Sequence, residues 1–176
     1  MESGKILKKA IPYAAIILTA VVARILPHAP NFAPIGGLAL FTGYHLKNKT
    51  SWIIPLAAML LSDYIIGFHS TMPYVYTSFF IIFMIGRILK KINPVSLAST
   101  SLLSSTLFFL ITNYGVWATG TMYSKNLNGL VQSYIMGLPY FGNTVVGDFF
   151  YSLSFFYGFS YMAYLLGNKT YSRKTS

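Results

Sequence analysis

The sequence predicts an all-α, polytopic membrane protein with about six transmembrane helices and cytoplasmic N- and C-termini. Of the 176 residues, 55% are hydrophobic and only 9% are charged, whereas a soluble domain usually carries about a quarter charged residues. Long apolar stretches alternate with short polar connections, as in chains that cross a bilayer repeatedly. Basic residues cluster in these connections, which is typical of loops beside membrane spans. We therefore expect one integral membrane domain, residues 1–176, located as a multi-pass protein in the cell (inner) membrane.

Six apolar segments are the candidate spans, and they cover approximately residues 10–26, 35–46, 52–67, 73–89, 94–114 and 144–166. Most approach the roughly 20 residues that a helix needs to cross a bilayer. The second segment would cover only about 18 Å, so it must start earlier, meet a deep loop or be shielded by neighbouring helices. The long connection 115–143 is predicted to be an outer loop segment that holds an interfacial or re-entrant piece.

The basic residues predict the orientation. With six spans, all but two of the 13 lysines and arginines fall on the side of the termini, and the exceptions are Arg24 and Lys125. Because cytoplasmic loops carry an excess of Lys and Arg, this side is predicted to face the cytoplasm. The basic clusters are not interleaved with aromatic residues as a nucleic-acid groove requires. The lipid bilayer is therefore an expected partner, and nucleic acid is not.

Several classes of chemistry lack their sequence signatures. The chain has no cysteine, which excludes disulfides, thiolate metal sites and cysteine nucleophiles. It also has no nucleophile elbow, no phosphate-binding glycine-rich loop and no HExxH motif. His28, His69, Asp63 and Asp148 lack the short spacing of a ligand pair on one helix, so no metal site is expected. The sequence thus predicts a protein that is not an enzyme and holds no cofactor.

Apart from the flanking lysines and arginines, the ionisable and amide residues in and beside the apolar segments fall almost entirely at the predicted outer ends of the spans. Ionisable residues inside a membrane are rare and usually functional or paired. Small-molecule sites are mostly apolar and aromatic with a few placed polar groups. We therefore predict an outer solute-binding pocket, with Tyr44, Tyr76, Tyr114 and Tyr151 as further lining candidates. Its candidate residues are Arg24, His28, Asn31, Asp63, His69, Tyr74, Asn113, Trp117, Asn143 and Asp148.

Two other interpretations remain open. Arg24 with Asp63 or Asp148 can form a buried ion pair that only fixes helix register, as in a structural or assembly subunit. Asp63 and Asp148 can instead act as acid and base in a small intramembrane enzyme, although nothing in the sequence places them within reach of each other. We expect all three charged side chains to approach one another, since an unpaired charge in a membrane costs several kcal/mol.

Small residues at four-residue spacing predict close helix packing. The pattern occurs at Ala10/Ala14, Ala39/Gly43 and Ser154/Gly158, and at Ser96/Thr100/Ser104 with Ser101 and Ser105 beside them.

Four stretches of the chain resemble a family of small, uncharacterised bacterial integral membrane proteins. They read RILPHAPNFAPIGGLALFTG, LLSDYIIGFHSTMPYVY, TNYGVWATGTMY and LPYFGNTVVGDFFYS, and the resemblance extends from Arg24 to Tyr151. That family is in turn similar to the substrate-binding S components of energy-coupling-factor (ECF) transporters. The similarity lies in size, six spans, cytoplasmic termini and outward-facing loops.

The second resemblance implies an S-component-like bundle that captures a small, for example vitamin-like, solute under the first outer loop. It also implies a membrane T component and cytoplasmic ATPases as partners. This chain has no Walker motif, so ATP hydrolysis would belong to another protein. S components commonly dock on the T component through an Ala-xxx-Ala motif on the first span, and Ala10 and Ala14 are the nearest match here.

Overall fold

A computed structural model describes residues 2–167, and within this range the protein consists of six α-helices with no β-strand. The predicted all-α class is therefore confirmed. The basic cluster of the C-terminal tail lies outside the described residues. The helices are α1 (Glu2–Ile25), α2 (Ile35–His45), α3 (Ile53–Ile66), α4 (Met72–Ile88), α5 (Pro94–Thr119) and α6 (Leu127–Leu165).

One helix within residues 2–167, α5, is long and apolar enough to cross a membrane by length and composition. Three shorter helical stretches are also apolar, namely Ala10–Ile25, Ile53–Ile66 and Met72–Ile88. The bounds of α2, α3 and α4 agree with the predicted segments to within one residue. The helix α1 starts earlier than the predicted segment, at Glu2, so that the apolar stretch is the continuation of a longer helix.

The short helix α2 occupies the centre of the bundle. Its residues 35–43 are all buried, and it packs chiefly on α4 and α6 with further contacts to α1, α3 and α5. A helix that is apolar all round is expected to be enclosed on every side. The sequence left three alternatives for this short segment, namely an earlier start, a deep loop or shielding by neighbouring helices. The structure shows the third.

Two glycines allow α2 and α4 to cross closely. A Cβ atom at Gly43 would overlap the carbonyl oxygen of Phe83, and one at Gly86 would overlap the carbonyl oxygen of Leu40. Small residues at such crossings let two helix backbones approach. The predicted packing role of Ala39/Gly43 is thus confirmed, whereas Ser154 is exposed and a Cβ at Gly158 would meet open space. The expectation that Ser154/Gly158 packs within the bundle is wrong.

The turns at one end of the bundle are joined by Arg87 in the last turn of α4. Its guanidinium donates to the backbone oxygens of Lys47 (2.7 Å) and Asn48 (3.1 Å), which lie in the turn between α2 and α3. The next helix, α5, starts nearby with a capping box between Asn93 and Ser96. The turns α2–α3 and α4–α5 therefore lie at the same end of the molecule.

The predicted outer loop 115–143 is mostly helical, which corrects the sequence analysis. The helix α5 continues to Thr119 and α6 begins at Leu127, so only residues 120–126 connect them. Within this turn the side chain of Asn126 caps α6 by accepting from the backbone N–H of Gly129 (2.9 Å). Trp117 donates to the backbone oxygen of Ser124 (2.9 Å), and Lys125 donates to the oxygen of Gly120 (2.6 Å).

Packing against α5 explains why α6 runs as one helix of 39 residues through Pro139. A proline inside a helix costs about 3 kcal/mol or more. On either side of it, Tyr134 donates to the backbone oxygen of Leu110 (2.9 Å), and the rings of Phe109 and Phe141 lie 5.1 Å apart. Gly137 lies directly against the Asn113 side chain. These contacts offset the cost of the proline, and they are invisible in the local sequence pattern.

Candidate functional site

A cavity of about 540 Å³ lies at the end of the bundle opposite to the turns that Arg87 joins. Its walls come from the C-terminal parts of α1, α3 and α5 and from the N-terminal parts of α2, α4 and α6. All six helices and the loop between α1 and α2 contribute. The volume falls within the range of small-molecule sites, about 300–1,000 Å³. The polar and ionisable lining residues are Arg24, His28, Asn31, His69, Thr71, Thr112, Asn113, Tyr123, Ser133, Tyr140, Thr144 and Asp148.

The structure gathers most of the predicted site residues at this cavity, but not all of them. Arg24, His28, Asn31, His69, Asn113 and Asp148 line it. Asp63, Tyr74, Trp117 and Asn143 are absent from the lining, and so are the candidate tyrosines Tyr44, Tyr76, Tyr114 and Tyr151. The aromatic hydroxyls at the wall belong instead to Tyr123 and Tyr140.

Arg24 and Asp63 form an ion pair that links α1 to α3. The second carboxylate oxygen of Asp63 accepts from the Tyr76 hydroxyl of α4 at 2.9 Å, and Arg24 also contacts the Met59 sulfur at 2.7 Å. Asp63 is only 1% exposed, so its charge is satisfied behind the cavity wall and not at the wall itself. The predicted pairing of Arg24 with one of the two aspartates is confirmed, and the partner is Asp63.

Asp148 has a different environment, so the expected convergence of all three charges is not formed by direct contact. Its Oδ2 accepts from the Ser105 hydroxyl of α5 at 2.7 Å, and its carboxylate lies against Gly36 in the first turn of α2. Within residues 2–167, Asp148 makes no ion pair. The reason is its position, because Asp148 lies where α6 packs on α5 and α2, whereas Asp63 lies between α1 and α4.

The asparagines fix the walls of the cavity. Asn143 donates to the backbone oxygen of Pro30 at 3.0 Å, which ties the loop between α1 and α2 to α6. In the same loop Asn31 has a positive φ of 62°, a conformation that asparagine adopts more readily than most residues. Asn113 donates to the Phe109 backbone oxygen at 2.8 Å, and Gly137 packs against the side-chain amide of Asn113. These contacts hold one wall in place.

The remaining predicted residues have local partners. His28 contacts the backbone oxygens of Arg24 (3.2 Å) and Ala29 (3.1 Å), and His69 contacts the Thr71 hydroxyl at 2.8 Å. Tyr74 packs on Gly115. Trp117, near the end of α5, donates to the Ser124 backbone oxygen in the turn that follows. No three histidine or acidic side chains in the described part of the chain group closely enough to hold a metal ion.

Sequence reasoning missed the hydroxyl groups of α5 and α6. Ser105 was interpreted only as a packing residue, although it is the hydrogen-bond partner of Asp148. Thr112, Ser133 and Tyr140 line the cavity, and the last two lie in the segment predicted to be a loop. The serine pattern was the signal for Ser105, whereas the others depend on the register between α5 and α6.

Within residues 2–167, the fold and the cavity define a class of protein, a six-helix bundle with a cavity at one end that combines apolar surface with several polar side chains. The chain belongs to a family of unknown function, DUF6580, which matches residues 5–171. No curated protein and no solved structure matches it.

Proposed function

We propose that this protein is a six-span protein of the cell membrane that captures a small solute at the outer face. It would do so in the manner of an ECF transporter S component, with a membrane T component and cytoplasmic ATPases as partners. The observation that carries the proposal is the cavity of about 540 Å³ at one end of the bundle, with Asp148 in its wall. A concave cavity that combines apolar surface with placed polar groups is the usual form of a small-molecule site.

Exposed apolar side chains support the membrane location. Leu61, Ile65 and Tyr161 are each more than 60% exposed, and many other large hydrophobic residues share this property. Single exposed hydrophobic residues are normal on soluble proteins, whereas large exposed apolar areas mark contact with a partner or a membrane. In α5, only 22% of the apolar window is buried inside the protein. Lipid is the environment that would cover these side chains.

The distribution of basic residues supports the orientation. Lys47 and Lys49 lie in the α2–α3 turn, and Lys90 and Lys91 lie in the α4–α5 turn. Both turns lie at the same end of the bundle, where Arg87 bonds to the α2–α3 turn. The cavity lies at the other end. Because basic loops stay in the cytoplasm, the cavity is proposed to face outward.

The buried aromatic core supports capture without a permanent pathway. The rings of Phe41, Phe156 and Phe159 are buried, with centroid distances of 5.5 Å (Phe41 to Phe156) and 5.2 Å (Phe41 to Phe159). A polar solute would have to displace this packing to cross. Ala10 and Ala14 are exposed on α1, and such small residues allow the close approach of a partner helix.

A structural or assembly subunit is the second candidate, and the bonded group Arg24–Asp63–Tyr76 is the observation that favours it. These residues join α1, α3 and α4, and the charges of Arg24 and Asp63 pair with each other. The enzyme alternative has less support, because Asp63 lies behind the wall and Asp148 bonds to Ser105. We therefore assign no catalytic step.

Native mass spectrometry of polymer-extracted protein tests the capture function. Thr112 lines the cavity and Thr106 does not, yet both lie on α5 and donate to the backbone oxygen four residues earlier (2.7 and 2.8 Å). We expect a small molecule to co-purify with the wild type and with Thr106→Phe, and to be lost from Thr112→Phe. Equal retention by both variants, or no bound molecule in the wild type, would contradict the proposal.

A further inference from the structure

We propose that the captured solute carries a cationic nitrogen group, an amine or ammonium, that pairs with Asp148. This inference rests on the proposed capture function. The argument begins from Asp148 itself, which is 4% exposed, lines the cavity and accepts one hydrogen bond, from Ser105 at 2.7 Å. No cationic side chain of the described residues pairs with it. A buried carboxylate without a counter-charge is destabilising unless a partner arrives.

Arg24, the one arginine among the described residues of the cavity wall, does not supply that partner. It is paired with Asp63, whose other oxygen accepts from Tyr76. The other titratable groups that face the cavity are His28, His69, Tyr123 and Tyr140, and none of them forms an ion pair with Asp148 among the described residues. The opposite charges of Arg24 and Asp63 therefore cancel, and the negative charge of Asp148 is left over.

The carboxylate of Asp148 lies beside the first turn of α2. The carboxylate lies against Gly36, in the first turn, where any Cβ atom would overlap it. The cap residue Pro34 offers no side-chain hydrogen bond to this turn. A helix N-terminus carries the equivalent of about half a positive charge. This partial charge attracts the carboxylate without neutralising it, so Asp148 remains available to a cationic group in the cavity.

The rest of the wall fits an organic cation better than a bare metal ion. One carboxylate faces the cavity, and no second acidic or histidine pair completes a metal site among residues 2–167. The same cavity also has apolar surface, which is supplied by Val75, Phe79, Phe108 and Met136. Apolar and aromatic walls favour the body of an organic cation, and aromatic faces attract its charge.

The natural absence of cysteine makes the electrostatics of the cavity measurable. We would introduce a single cysteine at Thr144, one helical turn before Asp148, or at Tyr140, two turns before it; both positions line the cavity. Purified protein would react with 2-aminoethyl methanethiosulfonate, a cation, and with 2-sulfonatoethyl methanethiosulfonate, an anion. Asn128→Cys, exposed and outside the cavity wall, gives the reference ratio of the two rates.

At Thr144→Cys we expect the cation-to-anion rate ratio to exceed the reference ratio at least about tenfold, because a unit charge one turn away acts strongly at low dielectric. At Tyr140→Cys we expect a smaller excess. Adding Asp148→Asn should return both ratios to the reference, whereas Asp148→Glu should preserve them. A change in the reactivity of the thiol itself affects both reagents equally, so the ratio isolates the charge.

The outcomes separate this inference from the function on which it rests. Reaction at both positions without charge preference, or a preference that survives Asp148→Asn, overturns the cationic solute and leaves solute capture standing. Protection of both positions from both reagents means that solutes do not enter the cavity, and this overturns the capture function. The Tyr140 position keeps the test decisive if Thr144→Cys does not fold.

Discussion

Arg24 shows how one charged residue constrains the packing of several helices. Its ion pair with Asp63 and the bond from Tyr76 to the same carboxylate hold α1, α3 and α4 together. The sequence predicted that Arg24 would find an acidic partner, since an unpaired charge is expensive in a membrane. It did not predict which aspartate, because Asp63 and Asp148 lie at equivalent outer ends of their segments. That choice depends on which helices are neighbours.

Asp63→Asn should strongly destabilise the protein. The variant keeps the shape of the side chain but leaves Arg24 without its counter-charge. Breaking a buried pair from one side typically costs about 3–5 kcal/mol. We expect a clear fall in the thermal unfolding midpoint of the detergent-purified protein, followed by circular dichroism.

Two companion variants show whether the ion pair is the cause. Tyr76→Phe removes one hydrogen bond and should cost only about 0.5–1.5 kcal/mol. Arg24→Gln combined with Asp63→Asn should be more stable than Asp63→Asn alone, because no unpaired charge remains. Wild-type stability in Asp63→Asn would refute the structural role of the pair.

The cavity residues show how far residue types alone can locate a site. Arg24, His28, Asn113 and Asp148 were predicted because ionisable and amide groups within or directly beside apolar segments are unusual. Tyr74 and Trp117 were predicted as aromatic residues near the outer ends of the spans, and they lie instead in local contacts of α5. The sequence showed that these residues lie near the outer ends of the spans. It did not show which of them lie on the helix face that lines the cavity.

At the scale of whole helices, hydropathy predicted the short elements well and the longest one poorly. The bounds of α2, α3 and α4 follow directly from their apolar segments. In α6, the residues before 144 were interpreted as part of an outer loop, because the apolar stretch 127–138 is too short to cross a bilayer by itself. The helix continues because α5 packs along it, and tertiary contacts of this kind override local propensity.

The crossing of α2 and α4 gives a prediction about glycine. Gly43→Ala or Gly86→Ala should lower the free energy of unfolding by about 1–3 kcal/mol, as overpacking does. In each case the added methyl group would overlap a backbone oxygen of the facing helix, so the helices would have to separate. Thermal unfolding of the purified variants measures the effect.

Gly142 and Gly158 are the matched controls for this prediction. Both are helical, and a Cβ at either would meet no atom within 4 Å. Replacing a helical glycine by alanine in open space stabilises a helix by up to about 1 kcal/mol. We therefore expect Gly142→Ala and Gly158→Ala to be neutral or stabilising. If all four variants behave alike, close approach of α2 and α4 is not what Gly43 and Gly86 provide.

At the scale of the whole molecule, the two ends of the bundle predict a labelling pattern. Cysteines placed singly at Lys49 and Lys91 should be protected from an impermeant thiol reagent in intact cells, whereas one at Lys125 should react. Lys49 and Lys91 lie in the turns at the end that Arg87 joins, and Lys125 lies in the turn between α5 and α6. Permeabilised cells, in which all three should react, are the control. Labelling of Lys49→Cys or Lys91→Cys from outside would contradict the proposed orientation.

The position of the cavity also predicts that the protein binds its solute without transporting it alone. Secondary transporters usually place their site near the membrane midplane between internal repeats, and this sequence shows no such repeat. Between Asp148 and the opposite end of the bundle, the Ser101 and Ser152 hydroxyls lie 3.3 Å apart in a hydrogen bond, and the Phe41 ring packs on Phe156. A solute would need a partner to open this packing or to reorient the whole bundle.

Reconstitution into liposomes tests this directly, with the molecule identified by native mass spectrometry as the probe. We expect saturable binding by the protein alone and no uptake above that of empty liposomes, with or without sodium and proton gradients. Binding should be lost in Thr112→Phe and kept in Thr106→Phe, since only the first fills the cavity. Sustained, gradient-driven accumulation by the lone protein would overturn the prediction, because it requires a path through the packed aromatic core that one subunit opens by itself.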